Sequence, residues 1–386
     1  MLRVLTLSSL FPDATRPNFG VFVERQTLGL AAHPEVALTV VAGVGVPPWP
    51  LTRHPRYRAF SGIPARETWK GIEVLRPRFT TLPGTGGRFH AAALLRAVRR
   101  AIRGRTFDVI DASFFFPDGP VAAALGRELG IPVSIKARGA DIHHWGHAAA
   151  TARQVRDAGV AADGLLAVSR AMADDIAALG IPAEKVRVHH TGVDLARFAP
   201  ADRAPAKAAL EVAGPLVTSV GALIPRKGHD VVIDAVARLD GATLLIAGEG
   251  EARGALEAQI ARAGVGDRIR LLGAVPHAQL PALIAAADVM ALASASEGLA
   301  NVWVEALACG TPIVITPVGG APEVVTAPSA GRVVAREAGA FAAAIAELLA
   351  VPPPAETVRA HALRFTWEAN TDALYAHLAG LVQARG

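Results

Sequence analysis

Short apolar, β-branched runs alternate with amphipathic, alanine-rich stretches along most of the chain. The pattern opens with Leu2-Arg3-Val4-Leu5-Thr6-Leu7, a polar loop to Gly20 and a predicted helix from about Val21 to Ala32. It restarts at Leu216-Val217-Thr218-Ser219-Val220-Gly221, passes through Pro225-Arg226-Lys227-Gly228 and enters a second helix near Asp230. Further strands are predicted at 36–42, 107–111, 131–136 and 164–168, then at 243–247, 269–272, 288–292 and 312–315, with helices such as 91–103, 120–129 and 169–179 between them. Strands that feed helices in this way build parallel sheets, and the restart predicts two doubly wound α/β domains. Residues 193–214, rich in Ala and Pro and without periodicity, read as a linker; the Pro-rich stretch 43–66 reads as a surface excursion. Two such domains would face each other across a cleft lined by the loops after their strands, where open α/β sheets bind ligands.

Composition narrows the class. Of 386 residues, 52% are hydrophobic and 19% charged, which excludes a disordered chain. A single cysteine, Cys309, allows no disulfide framework within the chain. Aromatic residues, at 5%, are too sparse for base-stacking platforms. The apolar stretch Leu2–Phe11 runs into Pro12-Asp13 with no small-residue cleavage site, so it reads as a buried strand rather than a signal peptide. No apolar run is long enough to predict a transmembrane helix.

The net charge of +5 is unevenly spread: residues 1–200 hold 25 Lys+Arg against 16 Asp+Glu, and the rest hold 14 against 18. A basic first half suits phosphate, anionic lipid or nucleic acid, with a plain arginine bias as the alternative. The predicted helix Ala92–Arg105 alternates Arg96, Arg99, Arg100 and Arg103 with Leu94, Leu95, Val98 and Ile102. It can lie on anionic lipid or pack as an ordinary helix with a basic solvent face.

Four stretches carry candidate chemistry. In Ser294-Ala295-Ser296-Glu297-Gly298-Leu299-Ala300-Asn301, Glu297 precedes a helix expected to run from about Ala300 to Gly310, and Glu305 lies inside that helix among apolar neighbours. A helix start offers backbone N–H groups to a phosphate, and ionised carboxylates accept from hydroxyls. Phosphate and polyhydroxyl recognition side by side is what a nucleotide sugar demands. Arg226 and Lys227 follow a domain-opening strand and are placed to neutralise a diphosphate, unless the loop is simply solvated. Arg138-Gly139-Ala140-Asp141-Ile142-His143-His144 follows another strand; with no Cys or third His at ligand spacing, zinc is not expected, and Asp141 reads equally as loop cap or substrate contact. In Asn18-Phe19-Gly20, the glycine at a helix start permits close approach of backbone to ligand. No Gly-x-Gly-x-x-Gly follows the first strand.

Taken in order, Gly221…Arg226-Lys227-Gly228, Gly248-Glu249-Gly250, Gly273-Ala274-Val275-Pro276-His277, Glu297 to Glu305, Cys309-Gly310-Thr311-Pro312 and Gly319-Gly320 resemble the donor domain of retaining GT-B glycosyltransferases of sequence family four. The wording around 221–229 is similar to members that build bacterial cell-surface polysaccharides. The resemblance implies a GT-B fold: an acceptor-side domain at 1–192, a linker at 193–214, a donor domain at 215–365 and a C-terminal helix at 366–386 packing back on the first domain. It implies that Lys227 and Arg226 bind the donor diphosphate with Gly221, that Glu305 holds the ribose and that Glu297 holds the transferred sugar beside the reacting carbon. Backbone at Gly298, Leu299, Ala300 and Asn301 would serve sugar and phosphate, Val275 the base and Gly20 the diphosphate. Two departures are visible. Gly221-Ala222 stands where the family often has Gly-Arg, and Arg138 stands where it often has histidine. Whether Arg138, Asp141, His143 or His144 meets sugar or acceptor stays open.

The implied donor is a nucleotide diphosphate-sugar of UDP or GDP type, with no cofactor and no metal, since no Asp-x-Asp donor site appears. The implied acceptor is a saccharide or a lipid-linked one; nucleic acid is not an expected partner. The expected location is cytoplasmic, with peripheral contact at the inner face of the cell membrane as an option. A nucleotide-sugar 2-epimerase of the same fold and a non-catalytic nucleotide- or sugar-binding protein are the competing readings.

Overall fold

A computed structural model of the chain describes residues 1–17 and 19–385; Asn18, beside Gly20, lies outside them. The chain forms two units, one of residues 1–192 with 367–386 and one of residues 193–366. Both are Rossmann-like α/β layers.

The strands of the first unit are β1 (Leu2–Leu7), β2 (Val36–Val41), β3 (Val44–Val46), β4 (Arg66–Trp69), β5 (Ile72–Leu75), β6 (Arg78–Thr80), β7 (Val109–Ala112), β8 (Val133–Ala137), β9 (Gly164–Ala167) and β10 (Val186–Val188). Eight form one sheet in the order β10-β9-β8-β7-β1-β2-β5-β4, parallel except for the β4–β5 pair. The central strands β7, β8 and β9 are buried along their whole length, as parallel strands covered on both faces must be. β3 and β6 form a separate parallel pair, so the stretch 43–66 is irregular only in part.

Helix Trp367–Gln383 completes this unit. Its Leu374 and Leu378 share a core with Val4, Leu30, Val36, Val109 and Leu166. His377, also buried, shares a hydrogen bond with Ser134 of β8 at 3.0 Å.

Helix His90–Ala101 decides between the two readings of the basic stretch in favour of an ordinary packed helix with a basic solvent face. Leu94 and Val98, with Ile102 just beyond, are buried in the unit's own core, so the apolar face is already used and does not face lipid. Arg96, Arg100 and Arg103 point outward, and Arg99 pairs with Glu128.

The second unit contains β11 (Leu216–Val220), β12 (Thr243–Ala247), β13 (Ile269–Gly273), β14 (Val289–Leu292), β15 (Ile313–Ile315) and β16 (Gly331–Val333). All are parallel, in the order β13-β12-β11-β14-β15-β16. The winding direction reverses between β11 and β14, and the loops after these two strands flank the reversal. Residues 193–214 belong to this unit rather than forming a free linker. Asp202 caps helix Arg203–Ala209 by accepting from the Ala204 N–H at 3.1 Å, and Val212 is buried with Leu216 and Leu245. Short, alanine-rich helices carry too little periodicity to be read from sequence.

Candidate active site

The loop after β11 ends in a one-turn 3-10 segment, Pro225–Lys227, closed by Gly228. Gly228 has φ +68°, and a Cβ there would stand 2.0 Å from the carbonyl oxygen of Ala293. Only glycine lets this loop lie directly on the chain leaving β14. The two loops are also cross-bonded. The Ala295 N–H donates to Arg226 O at 2.8 Å, the Arg226 guanidinium donates to Ser296 O, and Arg336 donates to Ala293 O at 2.8 Å and to Pro225 O at 3.0 Å.

This scaffold sets Lys227 against Glu297. Lys227 Nζ lies 2.5 Å from Glu297 Oε1, the Ser294 hydroxyl donates to the same oxygen at 2.7 Å, and Arg226 Nη1 stands 3.6 Å from Oε2. Ser294 is fully buried and Glu297 nearly so, while Arg226 remains largely exposed. The result is a fixed carboxylate held by two cations at the point where the sheet reverses. A diphosphate arriving there would meet both cations, with Glu297 as its competitor for Lys227.

Helix Asn301–Ala308 follows, with Leu299 and Ala300 buried at its entrance and Gly298 O accepting from the Gly320 N–H at 2.7 Å. Glu305, on the second turn, is half-buried as its apolar neighbours suggest, and its Oε1 lies 3.2 Å from His277 Nε2. His277 belongs to the loop after β13, as does Val275, which packs on the cluster around Leu216 and Leu245. His229, just past Gly228, is buried and bonded to Ser219 at 2.9 Å; burial pushes its pKa down to about 4, so it stays neutral. Ser294, His277 and Arg336 were not singled out from sequence: two of them act through a carboxylate and one through backbone carbonyls, contacts that only the fold creates.

The first-unit candidates are placed differently. Asp141 is fully buried, and its carboxylate accepts the N–H groups of Phe115, Arg138 and Gly139 at 2.8 to 3.1 Å. It therefore acts as a loop cap, and burial raises its pKa. Arg138 is half-buried; it donates to Ser113 O at 2.7 Å and to Gln26 at 3.2 Å and lies over the Phe22 ring, and burial lowers its pKa to about 10. His143 reaches Asp175 at 2.8 Å. Gly20, φ +70°, precedes helix Val21–Ala32, and a Cβ there would stand 2.2 Å from Leu10 O, so packing alone already requires glycine. Among the described residues no group of three or more His, Cys, Asp or Glu side chains could hold a metal.

Comparison with known proteins adds the following. The family described as Glycosyl transferases group 1 matches residues 201–364, and Glycosyltransferase Family 4 matches residues 52–197. The D-inositol 3-phosphate glycosyltransferase of Segniliparus rotundus is 38% identical over 208 residues, covering 50% of this chain and 46% of that protein. Its namesake from Mycobacterium bovis is 39% identical over 211 residues, covering 51% and 44%. The matched stretch of this chain thus spans about half the length of these curated relatives. Among solved structures, sucrose-phosphate synthase from Thermosynechococcus elongatus superimposes with a TM-score of 0.84 at 21% identity over 100% of both chains. Anabaena HepE in complex with UDP-glucose superimposes with a TM-score of 0.74 at 22% identity, over 98% of this chain and 100% of that one.

Proposed function

We propose that this chain, which belongs to the glycosyl transferases group 1 of glycosyltransferase family 4, transfers a sugar from a nucleoside diphosphate-sugar to an acceptor hydroxyl with retention at the anomeric carbon. The observation that carries the proposal is the Lys227–Glu297 pair, with Arg226 beside it, at the reversal of a doubly wound sheet.

The chemical demand is charge. As the bond from the anomeric carbon to the diphosphate oxygen breaks, the leaving group gains a negative charge, which Lys227 and Arg226 would stabilise. The acceptor oxygen forms its bond on the same face of the sugar, and its proton passes to the departing phosphate oxygen. No protein nucleophile is required. Glu297, fixed by Ser294, would accept from the transferred sugar's hydroxyls, and Glu305 from the ribose. Backbone at Gly221 and from Gly298 to Asn301 would serve phosphate and sugar, and Val275 the base. UDP is the first nucleotide to test, because the HepE structures hold UDP and UDP-glucose. We assign the acceptor to the saccharide or lipid-linked class used in cell-surface polysaccharide or glycolipid synthesis.

The test is a thermal-shift panel of UDP, GDP, ADP and NAD on the wild type and Lys227→Ala, followed by product analysis with donor alone. Binding to the folded state raises its stability with ligand concentration. A shift with one nucleoside diphosphate, lost in the variant, supports the donor site. A shift with NAD alone, or with nothing, overturns it. Conversion of the donor to an epimer without acceptor would replace transfer by epimerisation.

A further inference from the structure

The parallel pairing of β3 with β6 brings two distant segments out of the same end of a small sheet. Val46 and Thr80 are register partners, and the Thr81 N–H donates to Val46 O at 2.8 Å. Trp49 and Leu51 follow three and five residues beyond the end of β3, and Leu82 follows two beyond β6, with Phe89 at the far end of the same loop. All four side chains are exposed, Trp49 by 71%. Single exposed apolar residues are ordinary, but four on the two segments that leave one end of a strand pair are not.

The charge around them is predominantly positive. Residues 36–66 hold four arginines and residues 74–107 hold eight, with no Asp or Glu in either stretch; Arg66 and Arg105 pair with Glu73, Arg76 with Glu67 and Arg99 with Glu128. Arg53 lies 5.5 Å from the Trp49 ring centre and Arg88 lies 5.8 Å from that of Phe89. Neither has a carboxylate partner among the described residues, and both are exposed. Trp beside exposed apolar side chains, with arginine over two of the rings, is the composition that sits at the boundary between lipid headgroups and acyl chains. Nucleic acid would use the cations but has no use for Leu51 and Leu82.

We propose that this end of the first unit docks on the surface of an anionic lipid bilayer. Trp49, Leu51, Leu82 and Phe89 enter the interface, Arg53 and Arg88 meet lipid phosphates, and the other exposed arginines add longer-range attraction. The contact is separate from helix His90–Ala101, whose apolar face is buried, and it does not depend on sugar transfer.

The experiment is co-sedimentation of the full chain with vesicles of phosphatidylcholine alone and of equal parts phosphatidylcholine and phosphatidylglycerol. The wild type should pellet with the anionic vesicles only, with a blue shift in tryptophan emission. Trp49→Ser/Leu51→Ser and Arg53→Glu/Arg88→Glu should each weaken partitioning by about tenfold or more. Each variant should keep the wild type's melting temperature and its thermal shift with a nucleoside diphosphate, which separates this outcome from misfolding and from failure of the donor site. Absence of wild-type binding to anionic vesicles overturns the proposal. So does binding that the Trp49→Ser/Leu51→Ser change leaves untouched while a DNA duplex competes for it, which would mark a general polyanion surface. Self-association through these residues in place of vesicle binding overturns it equally.

Discussion

Lys227 rests on a carboxylate that would itself face the transferred sugar, so without ligand Glu297 already offsets one of the two cations and ligand binding exchanges one anion for another. Removing either partner therefore has opposite effects on binding. Lys227→Ala should abolish the nucleoside diphosphate thermal shift and lower kcat/KM by about 10²–10³-fold, the usual cost of losing one preorganised charge stabiliser. Glu297→Gln frees the ammonium; titration calorimetry should find nucleoside diphosphate binding equal or tighter, while steady-state transfer falls. Asp141 offers a contrast within the first unit. Asp141→Asn puts an amide N–H against backbone N–H groups that now reach a carboxylate, and should lower folding stability by about 1–3 kcal/mol in denaturant melts.

Helix Trp367–Gln383 carries a pH-sensitive contact in His377, which burial pushes down to about 4. An exposed imidazole titrates near 6.5. Between those values the unfolded chain binds a proton that the folded one refuses, so the stabilising share of this residue is complete above about pH 6.5 and is lost as pH falls toward 4. At about pH 5 the loss should be about 2 kcal/mol, and melting of His377→Gln should be correspondingly less sensitive to acidification than the wild type. The same helix marks what sequence reading reaches and what escapes it. The central strands and the helices after them were legible because parallel strands buried on both faces are unbroken apolar runs. β4, β10 and β16 were not, being short, partly polar edge strands. Lys136, fully buried in β8, escapes any pattern because its partners, Gln26 and His189, come from a helix and a loop far along the chain. In the candidate site, Glu297, Glu305, Arg226 and Lys227 stood out by residue type and position. Arg336 and Ser294 did not, since their roles exist only once two loops lie against each other.

At the scale of the whole molecule, the second unit is a continuous stretch of chain and the first is not. Residues 193–366 should fold alone and, on the donor-site reading, retain the nucleoside diphosphate thermal shift. Deleting residues 367–386 should instead strip Leu374 and Leu378 from the core of the first unit, a loss of about 5 kcal/mol or more that circular dichroism and hydrogen exchange would register there while the second unit stays protected. Among the described residues no helix is long and apolar enough to cross a membrane, so the bilayer contact proposed for the Trp49 loop would be a surface one. The interrupted first unit also has a consequence for biogenesis. During translation β1 leaves the ribosome long before the helix that covers it, and the second unit is synthesised in between. The nascent first unit must wait with a sheet face uncovered while its successor folds, so it is the part of the molecule with the longest exposure to chaperones and to aggregation, and the last to be sealed.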